Sequence, residues 1–291
     1  MFSLSRPGGP PKAAPSPALP EPAVGPLQSV LNSIHPKPRP PELRQPEREY
    51  LILFTPRSGS SHLVEILTSA GLADPREWLH PDFLQERAEM FGTTTFADYF
   101  AALRGACSRK GVFGHKMALT FYERFSDEVR MEDHFDFKSP TVFLYRDDIV
   151  QQAVSLVLAE GREFWHATGD VVPSALRPVP YDPLKIHDRL AWLAAQERLT
   201  EAFIEAQGPS VRYLSYETLI SREMPDVARA FAGHVGIELR GELPVSSYRK
   251  IGDSLNLDYA DRFRSEHPDL MEHISEDRRD LLQTAARMAL L

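Results

Sequence analysis

The 291-residue chain is long enough for one large domain or two small ones with a sizeable buried core. Its formal net charge of -8 argues against a general nucleic-acid binder, which presents a basic surface, and its single cysteine, Cys107, excludes an internal disulfide or a cysteine metal cluster. No apolar run reaches the length of a transmembrane segment and the N-terminus lacks the order of a signal peptide, so a cytoplasmic protein is expected.

Residues 1–46 hold about half of the 25 prolines, mixed with Ala, Gly and Ser and with few large apolar residues. Such a segment cannot bury enough surface to offset its ordering entropy, which predicts a disordered, proline-rich arm over 1–46 and a folded domain over 47–291. The arm has the composition of a spacer or of a ligand for a proline-recognising partner. Its apolar patch, Val30-Leu31-Asn32-Ser33-Ile34, predicts that part of it docks, while removal of residues 1–40 is expected to leave thermal stability nearly unchanged.

Tyr50 to Phe54 is a β-rich apolar run that reads as a strand buried on both faces, and Leu63, Val64, Ile66 and Leu67 follow at helical spacing. Between them, Pro56-Arg57-Ser58-Gly59-Ser60-Ser61 is a small-residue loop that opens a helix. A strand turning through such a loop aims backbone N–H groups and the positive end of the helix dipole at one point, which makes a phosphate cradle. The Gly-x-x-x-x-Gly-Lys-Ser/Thr spacing of a Walker A loop is missing. Gly71 closes the helix, and Pro75 and Pro81 bracket a loop with Glu77, Trp78 and Leu79.

Phe96 to Ala106 reads as an amphipathic helix, Gly111 to Ala118 as a strand whose polar end carries His115 and Lys116, and residues 120–132 as a charged helix. Thr141 to Tyr145 is a third strand, running directly into a helix from Arg146 to Ser155 with acidic residues in its first turn. Arg162 to Tyr181, which includes Trp165, has no period and reads as a long loop. Pro183 to Ala206 is a long amphipathic helix whose Leu190, Leu193, Ala194, Glu197, Glu201 and Ile204 divide into apolar and polar sides. Val211 to Glu217 is a fourth strand turning into a helix at Tyr216-Glu217, a pair with a structural role. Pro225 to Val235 is a helix closed by Gly236. Arg249-Lys250 then precede Gly252-Asp253 and a helix with Tyr259 and Phe263. Pro268 to Leu291 is charged, then helical, a face for the domain itself or for the partner subunit of a homodimer. Alternating strands and helices predict a three-layer α/β domain with a mainly parallel central sheet of about four strands and ligands at the strand C-terminal ends.

In their order and spacing these motifs resemble the sulfotransferases that use 3′-phosphoadenosine 5′-phosphosulfate (PAPS), and within them the bacterial trehalose sulfotransferase type, over roughly residues 48–270. Arg57-Ser58-Gly59-Ser60 matches that type's Arg-Ser-Gly-Ser loop for the 5′-phosphosulfate. Pro75-Arg76-Glu77-Trp78-Leu79 is similar to its Pro-x-Glu-Phe-Phe loop, whose glutamate is the proposed general base. Lys116 matches the lysine of a Gly-Lys pair, with His115 in place of the glycine. Arg146 to Ser155 keeps the spacing of Arg-Pro-Asp-Val-Val-x-Gln-Ala-Val-Ser, whose arginine and serine hold the 3′-phosphate; the planar guanidinium fork suits that anion. Arg249-Lys250 stand where many PAPS enzymes carry Arg-Lys-Gly-x-x-Gly-Asp-Trp, here one glycine short and without the tryptophan. Trp165 falls where the family has a tryptophan near the acceptor sugar.

The resemblance implies a PAPS-dependent sulfotransferase acting on a carbohydrate or glycolipid hydroxyl. Glu77, Lys116 and Arg57 would be catalytic. Arg57, Ser58, Gly59, Ser60, Ser61, Arg146, Ser155, Arg249 and Lys250 would hold the donor, and Glu77, Trp78, His115 and Trp165 would face the acceptor. No metal is implied, since the cations replace it electrostatically. From the residues alone two other readings stay open: a nucleotide-dependent phosphotransferase with an unusual loop, and a non-catalytic binding module. The same residues also have plain structural roles open to them, with His115 as a packing histidine, Trp165 as a hydrophobic plug and Arg249-Lys250 as a solvated face.

Overall fold

A computed structural model of the chain describes residues 27–36, 44–126, 128–163, 177–243 and 254–291. Strands β1 (Arg48–Phe54), β2 (Val112–Met117), β3 (Thr141–Tyr145) and β4 (Val211–Ser215) form one sheet in the order β2-β1-β3-β4, and every pairing is parallel. Parallel strands are covered on both faces, which is why these sequences read as continuous apolar runs; β2 and β3 bury every residue. Side chains alternate across the sheet. Leu51, Leu53, Phe113 and Phe143 enter one core layer, and Tyr50, Ile52, Phe54, Val142 and Leu144 the other.

The first layer is closed by α1 (Leu27–Asn32), α3 (Pro81–Phe91), α4 (Phe96–Cys107), α5 (Leu119–Ser126), part of α7 (Pro183–Gln207) and α12 (Arg279–Arg287). The second is closed by α2 (Ser60–Ser69), α8 (Tyr216–Ser221) and α9 (Met224–Val235). A third cluster joins α6 (Ile149–Arg162) to α7, α10 (Ser254–Glu266) and α11 (Pro268–Asp277). This is the expected three-layer α/β fold. From β1 the chain moves outward to β2 and then returns to the other side of β1 for β3. The order therefore reverses between β1 and β3, and a crevice opens at their C-terminal ends.

Four expectations are revised. Residues 27–34, inside the segment expected to be a disordered arm, form α1 and a following turn whose Leu31 and Ile34 are buried, which bears out the docking expected of the Val30–Ile34 patch and overturns the expectation that removing residues 1–40 leaves stability nearly unchanged. Residues three apart share a helix face, so this short patch buries two large side chains at once. The charged helix expected over 120–132 stops at Ser126, with a separate 3₁₀ turn at Met131–Asp133. Helix α3 was not expected, and Glu197, read as part of an amphipathic pattern, is buried. The C-terminal segment packs on its own domain: Leu281 and Ala285 are in the core, Tyr213 N–H donates to Met288 O at 3.0 Å and Leu290 N–H to Tyr213 O at 2.9 Å, which covers the outer edge of β4. Cys107 is half-buried at the end of α4, where burial pushes its thiol pKa up, as befits a packing residue. Among the described residues no helix is long and apolar enough to cross a membrane.

Candidate active site

Beyond Phe54 the chain turns through residues 55–59 into α2. Arg57 and Gly59 have φ of 66° and 87°, left-handed conformations that turn successive N–H groups toward one side. For Arg57 this is a strained backbone state of the kind that persists where the surroundings impose it. Gly59 caps α2 without a side-chain bond, and a Cβ there would stand 2.7 Å from Tyr216 Cδ2, so the turn admits only glycine. The first turn of α2 thus keeps its N–H groups and positive dipole end directed at the crevice.

The serines of the loop divide in role. Ser58 is fully buried and donates from Oγ to Thr55 O at 2.7 Å, so its hydroxyl shapes the turn. Ser60, in the first turn of α2, accepts from Lys116 Nζ at 3.4 Å, and Ser61 follows it there. Gln152 on α6 donates from Nε2 to Thr55 Oγ1 at 2.8 Å and to Pro56 O at 2.7 Å, fixing the loop from the β3 side.

Across the crevice, Arg57 Nε donates to Ser155 Oγ at 3.1 Å, which brings the two ends of the expected donor site together. Arg146 follows the last residue of β3 and is 6 % exposed. Its Nε lies 3.2 Å from Glu217 Oε1, its Nη2 donates to Gln151 Oε1 at 3.2 Å, and its guanidinium carbon sits 4.4 Å from the centroid of the Tyr216 ring. Glu217 Oε2 accepts the Asp147 N–H at 2.8 Å, so the Tyr216-Glu217 pair shapes this site.

At the end of β2, Lys116 Nζ is 3.0 Å from Glu77 Oε1 and 4.9 Å from the Phe54 ring centroid. The loop after α2 reaches it by adding to the outer edge of β2: Lys116 N–H donates to Arg76 O at 3.0 Å. Trp78 anchors that loop from below. It is 2 % exposed, donates from Nε1 to Gly114 O at 3.1 Å and stacks on Phe113. Trp78 is therefore a core residue, and the expected acceptor contact is replaced by one that positions Glu77.

His115 likewise leaves the expected acceptor surface. Neighbours in a strand face opposite layers, so Lys116 points to the cradle side and His115 to the other core layer, stacked on Phe135 with ring centroids 4.3 Å apart. Burial pushes its pKa from 6.5 down to about 3, and among the described residues neither ring nitrogen has a hydrogen-bond partner. Trp165, Arg249 and Lys250 lie outside the described residues.

Two further groups shape the site and were not anticipated. Gln152 carries a local signal, because it lies three residues before Ser155 on the same helix face. The other is a buried ion pair between Arg278 and Glu197, 2.7 Å from Nε to Oε2, whose guanidinium also donates to Arg146 O at 2.5 Å and to Asp147 O at 2.8 Å. Nothing local in the sequence pairs those residues.

Arg57, Lys116 and Arg146 thus stand at the C-terminal ends of β1, β2 and β3 around an N–H-rich loop, a donor set suited to a multiply charged anion. A search of curated proteins gave no match. The family model for Stf0 sulphotransferase matches residues 49–266, from the second residue of β1 to the end of α10, and so takes in all four strands apart from Arg48, with the loop at 55–59, Glu77 and Arg146. The chain belongs to the Stf0 sulphotransferase family, whose general chemistry is sulfuryl transfer.

Proposed function

We propose that the protein moves the sulfuryl group of PAPS to a hydroxyl of a carbohydrate or glycolipid, with Glu77 as general base. The observation that carries this reading is the chain of contacts from the cradle to Glu77. Ser60 Oγ meets Lys116 Nζ, which meets the Glu77 carboxylate, so one cation links the N–H-rich loop to a carboxylate beside the end of β2.

PAPS when bound supplies an activated sulfuryl group on a phosphate leaving group. The Ser58 N–H is engaged by Thr55 O at 3.3 Å, so the N–H groups of residues 59–61 together with Arg57 suit the 5′-phosphosulfate oxygens, and Arg146 with Ser155 suits the 3′-phosphate. Lys116, reaching the same point from β2, offsets negative charge as it accumulates on the transferring oxygens. Glu77 accepts the proton of the acceptor hydroxyl as its oxygen bonds to sulfur, and the bond from sulfur to the phosphate oxygen breaks on the opposite side. Products are the sulfate ester and adenosine 3′,5′-bisphosphate.

The test is Glu77→Gln, which keeps size and loses the proton acceptor. This variant should bind adenosine 3′,5′-bisphosphate as the wild type does and transfer sulfate from PAPS to trehalose, or to the best acceptor in a panel of sugars and glycolipids, at least about a hundredfold more slowly at saturation. Wild-type turnover in the variant removes Glu77 from the role of base. Wild-type protein that binds PAPS and sulfates no acceptor in the panel is a binding module instead.

A further inference from the structure

The matched family domain ends with α10, yet a residue beyond it grips the backbone of the donor site. We propose that Arg278, at the junction of α11 and α12 and held by Glu197, is a positioning residue for 3′-phosphate recognition, acting through the carbonyls of Arg146 and Asp147. The inference rests on the reading of Arg146 as the 3′-phosphate ligand.

The guanidinium is almost fully buried and makes a two-bond pair with Glu197, 2.7 Å from Nε to Oε2 and 2.9 Å from Nη2 to Oε1. Two further donors go to Asp147 O from Nη1 at 2.8 Å and to Arg146 O from Nη2 at 2.5 Å. Those two carbonyls fall after the last residue of β3 and before Asp148, the N-cap of α6. They lie outside the strand and before the first turn of the helix, so Arg278 is what holds them.

On the opposite side, Glu217 takes the Asp147 N–H and the Arg146 Nε. The Arg146-Asp147 dipeptide is therefore clamped between a cation on its carbonyls and a carboxylate on its N–H and side chain. Burying two charges is costly, and well-packed apolar residues often stabilise a fold as well or better. Apolar residues cannot bind two carbonyls. The pair fixes one backbone path, and with it the point from which the Arg146 fork starts.

The experiment measures two dissociation constants by calorimetry on the full chain, for adenosine 3′,5′-bisphosphate and for adenosine 5′-monophosphate. In Arg278→Lys the bisphosphate should bind about tenfold more weakly and the monophosphate within about twofold of wild type, because only the 3′-phosphate contact is displaced. Glu197→Gln, which loosens the same guanidinium, should change the ratio in the same direction, and it decides the matter if Arg278→Lys does not fold. In the Arg146→Ala background Arg278→Lys should add no further loss, since the two act through one contact. Equal weakening of both nucleotides, or of neither, reduces Arg278 to a stabilising residue. If Arg146→Ala keeps the full preference for the bisphosphate, the 3′-phosphate reading falls and the inference with it. If Arg146→Ala abolishes the preference while Arg278→Lys and Glu197→Gln retain it, the inference alone is overturned.

Discussion

Replacing His115 by phenylalanine separates a core histidine from one that serves the acceptor. The ring is 3 % exposed and stacked on Phe135, and phenylalanine keeps that stack. Burial moves its pKa from 6.5 to about 3. In the unfolded chain the imidazole takes up a proton as the pH falls through 6.5, whereas in the folded protein it stays neutral until about pH 3. Over that interval the unfolded state binds more protons, so stability falls as the pH falls, by about 1.4 kcal/mol per pH unit. Between pH 6.5 and pH 5 the loss from this one group is about 2 kcal/mol, and above pH 6.5 it vanishes.

Glu49 and Asp136 line the same small cavity, Glu49 paired with Arg104, and both remain in the variant. Urea unfolding of wild type and His115→Phe at pH 7.5 and pH 5 therefore isolates the histidine. The drop in stability between the two pH values should be smaller in the variant by about 2 kcal/mol. Sulfuryl transfer at pH 7.5 should be unchanged. Identical pH dependence in the two proteins would refute the burial argument, and a folded variant that had lost transfer would return His115 to the acceptor site.

Gly59→Ala combines a left-handed backbone with a contact on Tyr216, so it should cost about 1–3 kcal/mol of stability and abolish the thermal shift produced by adenosine 3′,5′-bisphosphate; an undiminished shift would show that the turn is not the cradle. Leu31→Ala empties a fully buried position under α1 and should lower the urea unfolding free energy by about 2–5 kcal/mol, whereas a change below about 0.5 kcal/mol would mean that α1 does not belong to the fold.

The strands and most of the helices were legible because a parallel sheet writes itself as apolar runs, and the tight turn at residues 55–59 because small residues between a strand and a helix permit left-handed backbone. Helix α3 was hidden by its charged composition and by Pro81 at its start, which reads as a loop boundary although proline suits the first turn. Of the two readings open for His115, the packing one holds, although, among the described residues, without the hydrogen bond such a histidine usually makes. Its neighbour Lys116 and its alternates Phe113 and Met117 already imply opposite faces, and the strand pattern places the histidine with the phenylalanine. Trp78 was misread because an aromatic in a loop carries no period. The Arg278 and Glu197 pair could not be found at all, since it joins residues 81 apart through tertiary packing alone.

The carboxylates at the site follow from its cations. Lys116 and Arg146 are nearly buried, and a buried cation without a partner is far too costly to persist in the ligand-free protein. Each strand-end cation that is to meet an anionic donor therefore needs an anion of its own beforehand. Glu77 fills that place for Lys116 and Glu217 for Arg146, each at about hydrogen-bond distance. The two acids differ in what else holds them. Glu217 is committed to the backbone through the Asp147 N–H, and its second oxygen cannot leave without breaking the clamp on Arg146. Glu77 has no comparable tie to the backbone among its described contacts; it is held by the lysine, and its loop is anchored through Trp78 rather than through the carboxylate itself. On the proposed reading, an anion that draws Lys116 toward the cradle would loosen Glu77 and leave Glu217 in place, so that of two carboxylates at similar distances from a cation, 3.0 and 3.2 Å, Glu77 is the one we propose as the proton acceptor.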